Sequence, residues 1–526
     1  MTNVSRNRIL VGALVVGLAA AAHLPAVWSA EMTGEDELLF NYVGRSILSV
    51  LQGNPDAWRD VLRFYYPPLQ ALLPTPMIAL FGFSPWTLRI PGALSGMAAA
   101  LLLFWMMDRS PGQDRRSALF AGVLAATGGV AANHHYALTC GIFSFGAALC
   151  AAGLAGFVDT SDEETADRWL LAGSVGIVWA MMTLPDGFFY LPVLALAYVY
   201  RRGRHLTRKA WVSLGLVLSW GIVYGVCWLW LPNSWQETAG GSTLKLQLLL
   251  SKLGAFRIHD LVLSFVAGSS WPMVAMAPVL LPLGWMAASR GLQWVVLFYA
   301  FPLFLWTFAF DYPNVRAAHM LLAFPGYALL WALGAVRIRD LAMARSIWMG
   351  FLASVVLVLA VLSAVWQTGM LHVGDILPED RMGPRWLVLR EYYPQGRRVE
   401  VLGQHAAGWW IRNHSVPELG VSSNLGGAFA DYYAGRPYFA PDKLAEFARA
   451  PEASRLAGVR FYVHSLKAPT PRNIALEGLP IALEVHHRGK AVLRIYDLWQ
   501  EQWSPSGLEA REGRRLWNLR YLESIR

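Results

Sequence analysis

Long apolar stretches separated by short polar connections dominate residues 1–366. A membrane-spanning helix needs roughly 20 mostly apolar residues, and eleven stretches approach or reach that length. They cover residues 9–28, 86–107, 117–132, 137–157, 169–184, 187–200, 211–231, 269–289, 292–309, 318–336 and 346–366. The pattern predicts a polytopic α-helical membrane protein whose third, fifth and sixth spans are short, and thus tilted or broken.

The positive charges between these stretches predict an orientation. With the N-terminus in the cytoplasm, the inner loops hold 15 lysines and arginines and the longer outer segments hold 8. This imbalance follows the positive-inside rule. The acidic residues between Asp159 and Asp167 would lie in a cytoplasmic loop, against the positive charge expected there, but acids have little weight in this rule. The first stretch is read as an uncleaved anchor, because Trp-Ser-Ala at 28–30 is a poor signal-peptide cleavage site.

The apolar pattern stops near Trp366, and residues 367–526 read as a soluble α/β domain outside the cytoplasm. Strand-like runs cover Val399–Leu402, Val459–His464, Ile481–His486 and Ala491–Asp497, with a helical stretch near Asp442–Ala450. His487-Arg488-Gly489-Lys490 is typical of a hairpin turn. The predicted domains are therefore 1–366, within the membrane, and 367–526, in the periplasm.

Composition narrows the class of protein. The chain has 526 residues, of which 55% are hydrophobic and 15% charged, whereas soluble domains are about 25% charged. The net charge of +9 is explained by the short inner loops rather than by nucleic-acid binding. Its three cysteines lie in apolar runs and form no disulfide framework or metal-binding pair. An ordinary soluble enzyme is excluded.

The first long outer segment, 29–85, carries candidate chemistry. Glu35, Asp36 and Glu37 precede apolar residues at helical spacing, which predicts an amphipathic helix at the membrane surface. The acids either favour the helix dipole, or present a carboxylate that deprotonates an acceptor hydroxyl or holds a metal ion. Farther on, Pro67 and Pro68 would break a straight span. Residues 68–83 are therefore expected to form a re-entrant or interfacial helix, with a twelfth span as the alternative.

Basic residues mark the later outer segments. Lys245, Lys252 and Arg257 lie among leucines in segment 232–268. They match a lipid phosphate, or equally snorkel to ordinary headgroups. Arg316 and His319 stand at the start of a span, where charged groups are costly unless they face a cavity.

Several motifs in order carry a family resemblance. The order is an apolar anchor, Asp36-Glu37, Tyr-Pro-Pro-Leu at 66–69 and an Arg-Ile-Pro-containing stretch at Phe81–Gly96. Later come the segment from Arg316 through His319 to Pro325, and Asp431-Tyr-Tyr-Ala-Gly-Arg-Pro437. Together they resemble the GT-C glycosyltransferases of the protein mannosyltransferase type. That group includes the lipid A aminoarabinose transferases and the Rgt-like bacterial enzymes.

The resemblance implies transfer of a sugar from a polyprenyl-phosphate donor to an acceptor outside the cytoplasmic membrane, with inversion. The acceptor would be lipopolysaccharide, another envelope glycan or a protein. Asp36 would be the base, with Glu37 as the other candidate. The candidate contacts to the donor's phosphate and lipid are Tyr66, Arg89, Lys245, Lys252, Arg257, Arg316 and His319. No nucleotide-binding motif is present in the sequence, and no cofactor is expected.

Departures from the aminoarabinose transferases limit the resemblance. Tyr66 stands where those enzymes have lysine, and Leu39 where they have arginine. Their second acid has no counterpart here, so a two-carboxylate metal site is unsupported. Glu35, His134 and His135 are candidates for a polar acceptor site, with helix capping as the alternative role of the two histidines. Adjacent histidines point to different faces of a helix and do not form a paired zinc site.

Two other functions stay open on the sequence. An O-antigen ligase or polymerase also acts on lipid-linked sugars, but a large soluble C-terminal domain fits that class less well. A lipid-linked sugar transporter or flippase would favour intramembrane charges and repeated halves, and the sequence has neither. We expect a monomer in the bacterial inner membrane, with a donor lipid, a glycan, lipid or protein acceptor and no nucleic acid as partners.

Overall fold

The structure is a computed structural model, and two-thirds or more of its described residues are helical. It describes residues 3–29, 35–58, 61, 68–82, 85–127, 138–203, 205–229, 262, 265–266, 269–309, 322–374, 403–425, 429–439, 443–466, 476, 478–487, 490–503 and 506–509. The chain divides into two units. The first comprises Met1–Val27 and Val43–Pro394, and the second comprises Trp28–Tyr42 and Gln395–Arg526.

Each of the eleven predicted spans coincides with a helix. These helices are α1 (Asn3–Ser29), α5 (Pro85–Arg109), α6 (Arg115–Thr127), α7 (Leu138–Asp159), α8 (Glu163–Met181), α9 (Leu191–Arg202), α10 (Arg208–Leu229), α11 (Trp271–Ala287), α12 (Arg290–Ala309), α13 (Phe324–Arg345) and α14 (Ile347–Gly374). Within the described residues, Trp86–Arg109, Gly141–Asp159 and Ile347–Trp366 are long and apolar enough to cross a membrane. That the other eight helices cross it as well stays a prediction.

The first outer segment contains three further helices. The predicted amphipathic helix is confirmed as α2 (Glu35–Leu51). Residues 68–83 contain two short helices, α3 (Leu69–Leu72) and α4 (Thr75–Phe81), rather than the single helix that we expected. The break falls at Pro74, which precedes α4. Together they span about 20 Å at 1.5 Å per residue, which is shorter than the roughly 30 Å of a bilayer core.

Glycines allow the central helices of the first unit to pack closely. A Cβ atom on Gly153 of α7 would lie 2.5 Å from the Cα of Gly173 of α8. A Cβ on Gly141 would lie 2.2 Å from the carbonyl oxygen of Gly92 in α5. Helices inside a bilayer associate through such small residues, because lipid provides little hydrophobic force between them. A buried cluster that includes Phe143, Ile177 and other apolar side chains surrounds these crossings.

Hydrogen bonds connect three loops at one end of the first unit. We call it the arginine-rich end, because Arg115, Arg116, Arg201, Arg202 and Arg290 lie at the helix ends there. The carboxylate of Asp159 accepts hydrogen bonds from Ser289 Oγ and Gly291 N, each at 2.7 Å. Asp159 therefore satisfies a free amide at the N-terminus of α12. From the α5–α6 loop, Gln113 Nε2 donates to the carbonyl of Ala287 at 3.0 Å.

Three of the acids between Asp159 and Asp167, namely Glu163, Glu164 and Asp167, lie at this same end and form ion pairs with basic residues. Arg202 Nη2 is 2.7 Å from Asp167 Oδ1, and both side chains are 13% exposed. Arg202 also pairs with Glu163. Glu164 accepts from Arg168 at 2.6 Å, and that hydrogen bond holds the pKa of Glu164 below its ordinary value. The acids at the start of α8 and the arginine at the end of α9 therefore neutralise each other.

The second unit contains a six-stranded mixed sheet. The strands are β1 (Gly420–Ser423), β2 (Tyr438–Phe439), β3 (Val459–Ser465), β4 (Ile481–His487), β5 (Lys490–Asp497) and β6 (Ser506–Glu509), in the order β2-β1-β3-β5-β4-β6. Its helices are α15 (Gln404–His414), α16 (Leu444–Arg449) and α17 (Pro451–Leu456), and Phe429–Ala434 forms a π-helical turn. The predicted strands at β3, β4 and β5 and the helix at α16 are confirmed. Predicted strand Val399–Leu402 lies outside the described residues.

Candidate active site

The acids of the first outer segment occupy the first turn of α2. Glu35 is its first residue, followed by Asp36 and Glu37, and the described side chains of this helix begin at Val43. Val43 and Ile47 are buried and pack against Ala71 of α3. The C-terminal half of α2 is therefore fixed by apolar contacts. The roles of Asp36, Glu37 and Glu35 stay predictions.

Helix α3 is attached to the turn that follows α8. The backbone amide of Leu69 donates to the carbonyl of Met182 at 3.1 Å. The side-chain amide of Gln70, which is fully buried, donates to the carbonyl of Thr183. These bonds satisfy carbonyls at the C-terminus of α8. They place the short helices α3 and α4 at the end of α8 that lies away from the arginine-rich end.

Arg89 is the one predicted phosphate-binding residue whose side chain the described part of the chain includes. It lies near the start of α5, directly after the buried residues Thr87 and Leu88, and is 3% exposed. A guanidinium is costly to bury, and ionisable groups buried in such helices mark functional sites. Since α5 ends at the arginine-rich end, Arg89 lies toward the opposite end of the unit.

Asp186 is a buried carboxylate that the sequence reasoning missed. It lies in the 3₁₀ turn Pro185–Tyr190 between α8 and α9 and is 6% exposed. Tyr190, at the end of the same turn, is fully buried. The Tyr190 ring packs 4.3 Å from Phe298. The sequence Pro-Asp-Gly predicts a turn. The burial of the acid could not be predicted, because it comes from side chains of other helices packed around the turn.

The other predicted site residues lie outside the described residues. They are Tyr66, His134, His135, Lys245, Lys252, Arg257, Arg316 and His319. Among the residues that are described, no three histidine, cysteine or acidic side chains group together as metal ligands would.

The Asp431–Pro437 element of the second unit has a structural explanation. Arg436 is 9% exposed. Its guanidinium donates to the carbonyls of Ser415 and Arg412, at 2.6 and 3.1 Å, and to Ser415 Oγ at 2.9 Å. Gly435 just before it adopts φ +58°, a conformation that glycine accommodates without strain. Arg436 therefore caps the C-terminus of α15, where a cation also complements the helix dipole.

Comparison with known proteins identifies solved structures that have a similar fold. No protein-family model matches the chain, and no curated protein matches its sequence. Among solved structures, the chain is similar to ArnT from Cupriavidus metallidurans in the apo state, with a TM-score of 0.55 and 14% identity over 96% of this chain and 100% of that one. The same enzyme bound to undecaprenyl phosphate gives a TM-score of 0.55 and 15% identity over 94% and 99% of the two chains.

A more distant enzyme has a related fold. The apo oligosaccharyltransferase of Archaeoglobus fulgidus gives a TM-score of 0.52 and 13% identity, over 87% of this chain and 69% of that chain. The expected GT-C fold is thus confirmed.

Proposed function

We propose that this protein is a glycosyltransferase that moves a sugar from a polyprenyl-phosphate-linked donor to an acceptor outside the cytoplasm. The observation that carries the proposal is the likeness to ArnT in its complex with undecaprenyl phosphate, which extends over nearly the whole of both chains. The acceptor is lipopolysaccharide, another envelope glycan or a protein.

In the proposed reaction the acceptor hydroxyl attacks the anomeric carbon of the donor sugar. The hydroxyl proton passes to the carboxylate of Asp36, with Glu37 as the second candidate. A new glycosidic C–O bond forms as the bond between the anomeric carbon and the phosphate oxygen breaks. The electron pair leaves with polyprenyl phosphate, and the configuration inverts. The position of both acids at the start of α2 supports this role, because α2 is the next helix in the chain after the first predicted span.

Negative charge develops on the departing phosphate, so buried cations stabilise the transition state. Arg89 supports this part of the mechanism, since its guanidinium is buried near the start of α5. Tyr66, Lys245, Lys252, Arg257, Arg316 and His319 are proposed to contact the donor's phosphate and lipid. Glu35, His134 and His135 are proposed for the polar acceptor site. No cofactor is proposed for this chemistry.

We also propose the location of the protein. It is a monomer in the bacterial inner membrane, with the arginine-rich end in the cytoplasm and residues 367–526 forming a periplasmic domain. Short arginine-bearing loops at one end of the helices support this orientation.

The test uses purified full-length protein in nanodiscs, a panel of radiolabelled undecaprenyl-phosphate sugars and membrane acceptors. The wild type is compared with Asp36→Asn and Glu37→Gln. Asp56→Asn is the matched control, because Asp56 is an exposed acid in the same segment. General bases contribute about 10²–10⁴-fold, so we expect Asp36→Asn to lose that much transfer while donor binding persists.

Full transfer by Asp36→Asn would refute the base assignment. If the wild type consumes none of the donors, the proposed reaction is refuted. Equal losses in Asp36→Asn and Asp56→Asn would show that the first loop is sensitive to any lost acid, and would also refute the assignment.

A further inference from the structure

Polar side chains form a row across one face of the sheet in the second unit. Strands β1 and β3 are parallel neighbours, with β2 on the far side of β1. The chain leaves β1 toward β2 and leaves β3 toward β4, so the connections diverge at the carboxyl ends of β1 and β3. In sheets with parallel strands, ligands bind at such a switch point.

The strand register defines the members of the row. His464 of β3 lies opposite Arg494 of β5, and Arg494 lies opposite Glu484 of β4. Asn424 directly follows β1, and its amide contacts His464. These four side chains form what we call the polar row.

Asn424 fixes the orientation of the His464 ring. Its amide nitrogen is 3.0 Å from His464 Nδ1 and 3.1 Å from the carbonyl of Ser465, while its amide oxygen accepts from Ser465 N at 2.8 Å. Because the amide nitrogen is a donor, Nδ1 is the acceptor, and Nε2 carries the proton of the neutral ring. No described residue bonds Nε2, so the ring offers an oriented N–H donor.

Electrostatics make the row neutral. Arg494 Nε donates to Glu484 Oε1 at 2.7 Å, and this bond lowers the pKa of Glu484. The opposite charges of these two groups therefore cancel, and the other carboxylate oxygen of Glu484 lies 3.1 Å from His486 Nε2. Burial, with the nearby charge of Arg494 as the second cause, lowers the pKa of His464 below its ordinary value. An anion would need an excess of positive charge, which this row does not have.

One end of the row is accessible, whereas His464 is only 5% exposed, and the row contains unused hydrogen-bonding capacity. The side chains of Arg494 and Glu484 are 35% and 28% exposed. Ser422 lies opposite Tyr462, and thus on the same face as His464. Ser422 is 1% exposed, and its Oγ has no hydrogen-bond partner among the described residues. A buried hydroxyl without a partner is costly, and a ligand hydroxyl would satisfy it.

We propose that the polar row, together with Ser422, binds a neutral saccharide. Planar amide, imidazole, guanidinium and carboxylate groups supply fixed donors and acceptors, which match hydroxyl groups that both donate and accept. This assignment rests on the proposed function: the saccharide is part of the glycan of the acceptor. The donor's phosphate is excluded from this row by the same charge balance.

The test measures binding of neutral oligosaccharides of glucose, galactose, mannose and rhamnose, with inorganic phosphate as the anionic probe. Full-length protein in nanodiscs is studied by saturation-transfer NMR without donor. We expect His464→Phe to weaken binding about tenfold, the effect of losing one oriented hydrogen bond. His464→Gln retains an N–H donor and should keep most of the affinity. His414→Phe is the matched control, since His414 lies on α15 against Trp410.

A second variant tests the charge balance at a partly exposed position. Glu484→Gln leaves Arg494 unneutralised, and this variant should bind phosphate whereas the wild type does not. Phosphate binding by the wild type, equal losses in His464→Phe and His414→Phe, or binding of none of the saccharides would overturn the proposal. Asp36→Asn should bind saccharide as the wild type does, so failed transfer and failed saccharide binding are separate results.

Discussion

Arg436 links the end of α15 to the chain that follows the π-helical turn. Replacing it with methionine keeps much of the side-chain volume and removes the guanidinium. The carbonyls of Ser415 and Arg412 and the hydroxyl of Ser415 then lose their donors. Because the site is largely buried, water does not fully replace them.

The size of the effect follows from these contacts. A hydrogen bond to a charged group contributes about 1.5–3 kcal/mol. The three bonds share one guanidinium and do not add independently, so we expect Arg436→Met to lower the local unfolding free energy by roughly 2–4 kcal/mol. At about 1.4 kcal/mol per factor of ten, amide exchange in α15 should accelerate about thirtyfold to a thousandfold.

Hydrogen exchange measured by mass spectrometry on full-length protein resolves peptides that cover residues 404–414. The matched control is Arg455→Met, which removes one exposed arginine with a 3.3 Å bond to the Trp499 carbonyl. The control should change exchange in α15 less than about fivefold, since such a surface contact contributes about 0–1 kcal/mol. Equal exchange of α15 in wild type and Arg436→Met would refute the capping role.

Three further changes test other contacts. Gly176→Leu should prevent the packing of α7 on α8, because even a Cβ there would lie 2.4 Å from a backbone nitrogen of α7. Its midpoint temperature of thermal unfolding in detergent should fall well below that of Gly215→Leu, which places the same side chain at an open position. The double variant Arg202→Asp with Asp167→Arg should recover part of the thermal stability that either single substitution loses. The expected coupling free energy between the two positions is about 0.5–3 kcal/mol. The pKa of Glu484 is lowered by Arg494, so its contribution to stability is present above the unfolded-state pKa and is lost as pH falls through the folded one. Wild type should therefore lose more stability than Glu484→Gln in acid titrations of unfolding, and parallel curves would contradict this.

The helices of the first unit could be predicted because each has a continuous apolar run, which is a strong signal over such lengths. Smaller features depended on local geometry. Pro74 divides residues 68–83 into two helices, although the apolar pattern is continuous there. Strand β1 was missed because Gly420–Ser423 contains a single large apolar residue, Val421. Its burial comes from its two neighbouring strands and not from its own pattern.

The candidate site was predictable only in part. Glu35-Asp36-Glu37 is a visible cluster, and a helix begins there as expected. Arg89 was found through the family resemblance, whereas its burial required the fold. Asp186 and His464 carry no sequence signal, because the environment of each is made by residues distant in the chain. The resemblance also pointed to Arg436, but its contacts assign it to capping a helix.

The acids that dissent from the charge pattern illustrate how sequence and fold must be combined. Glu163 and Asp167 lie at the start of α8, on the predicted inner side where positive residues are expected, yet both pair with Arg202 at the end of the next helix. Arg202 can reach them only once α8 and α9 have packed together. In the proposed orientation this end is cytoplasmic, and positive residues outweigh acids in deciding orientation. The acids pair with Arg202 at the packed end, so their presence does not oppose the proposed orientation.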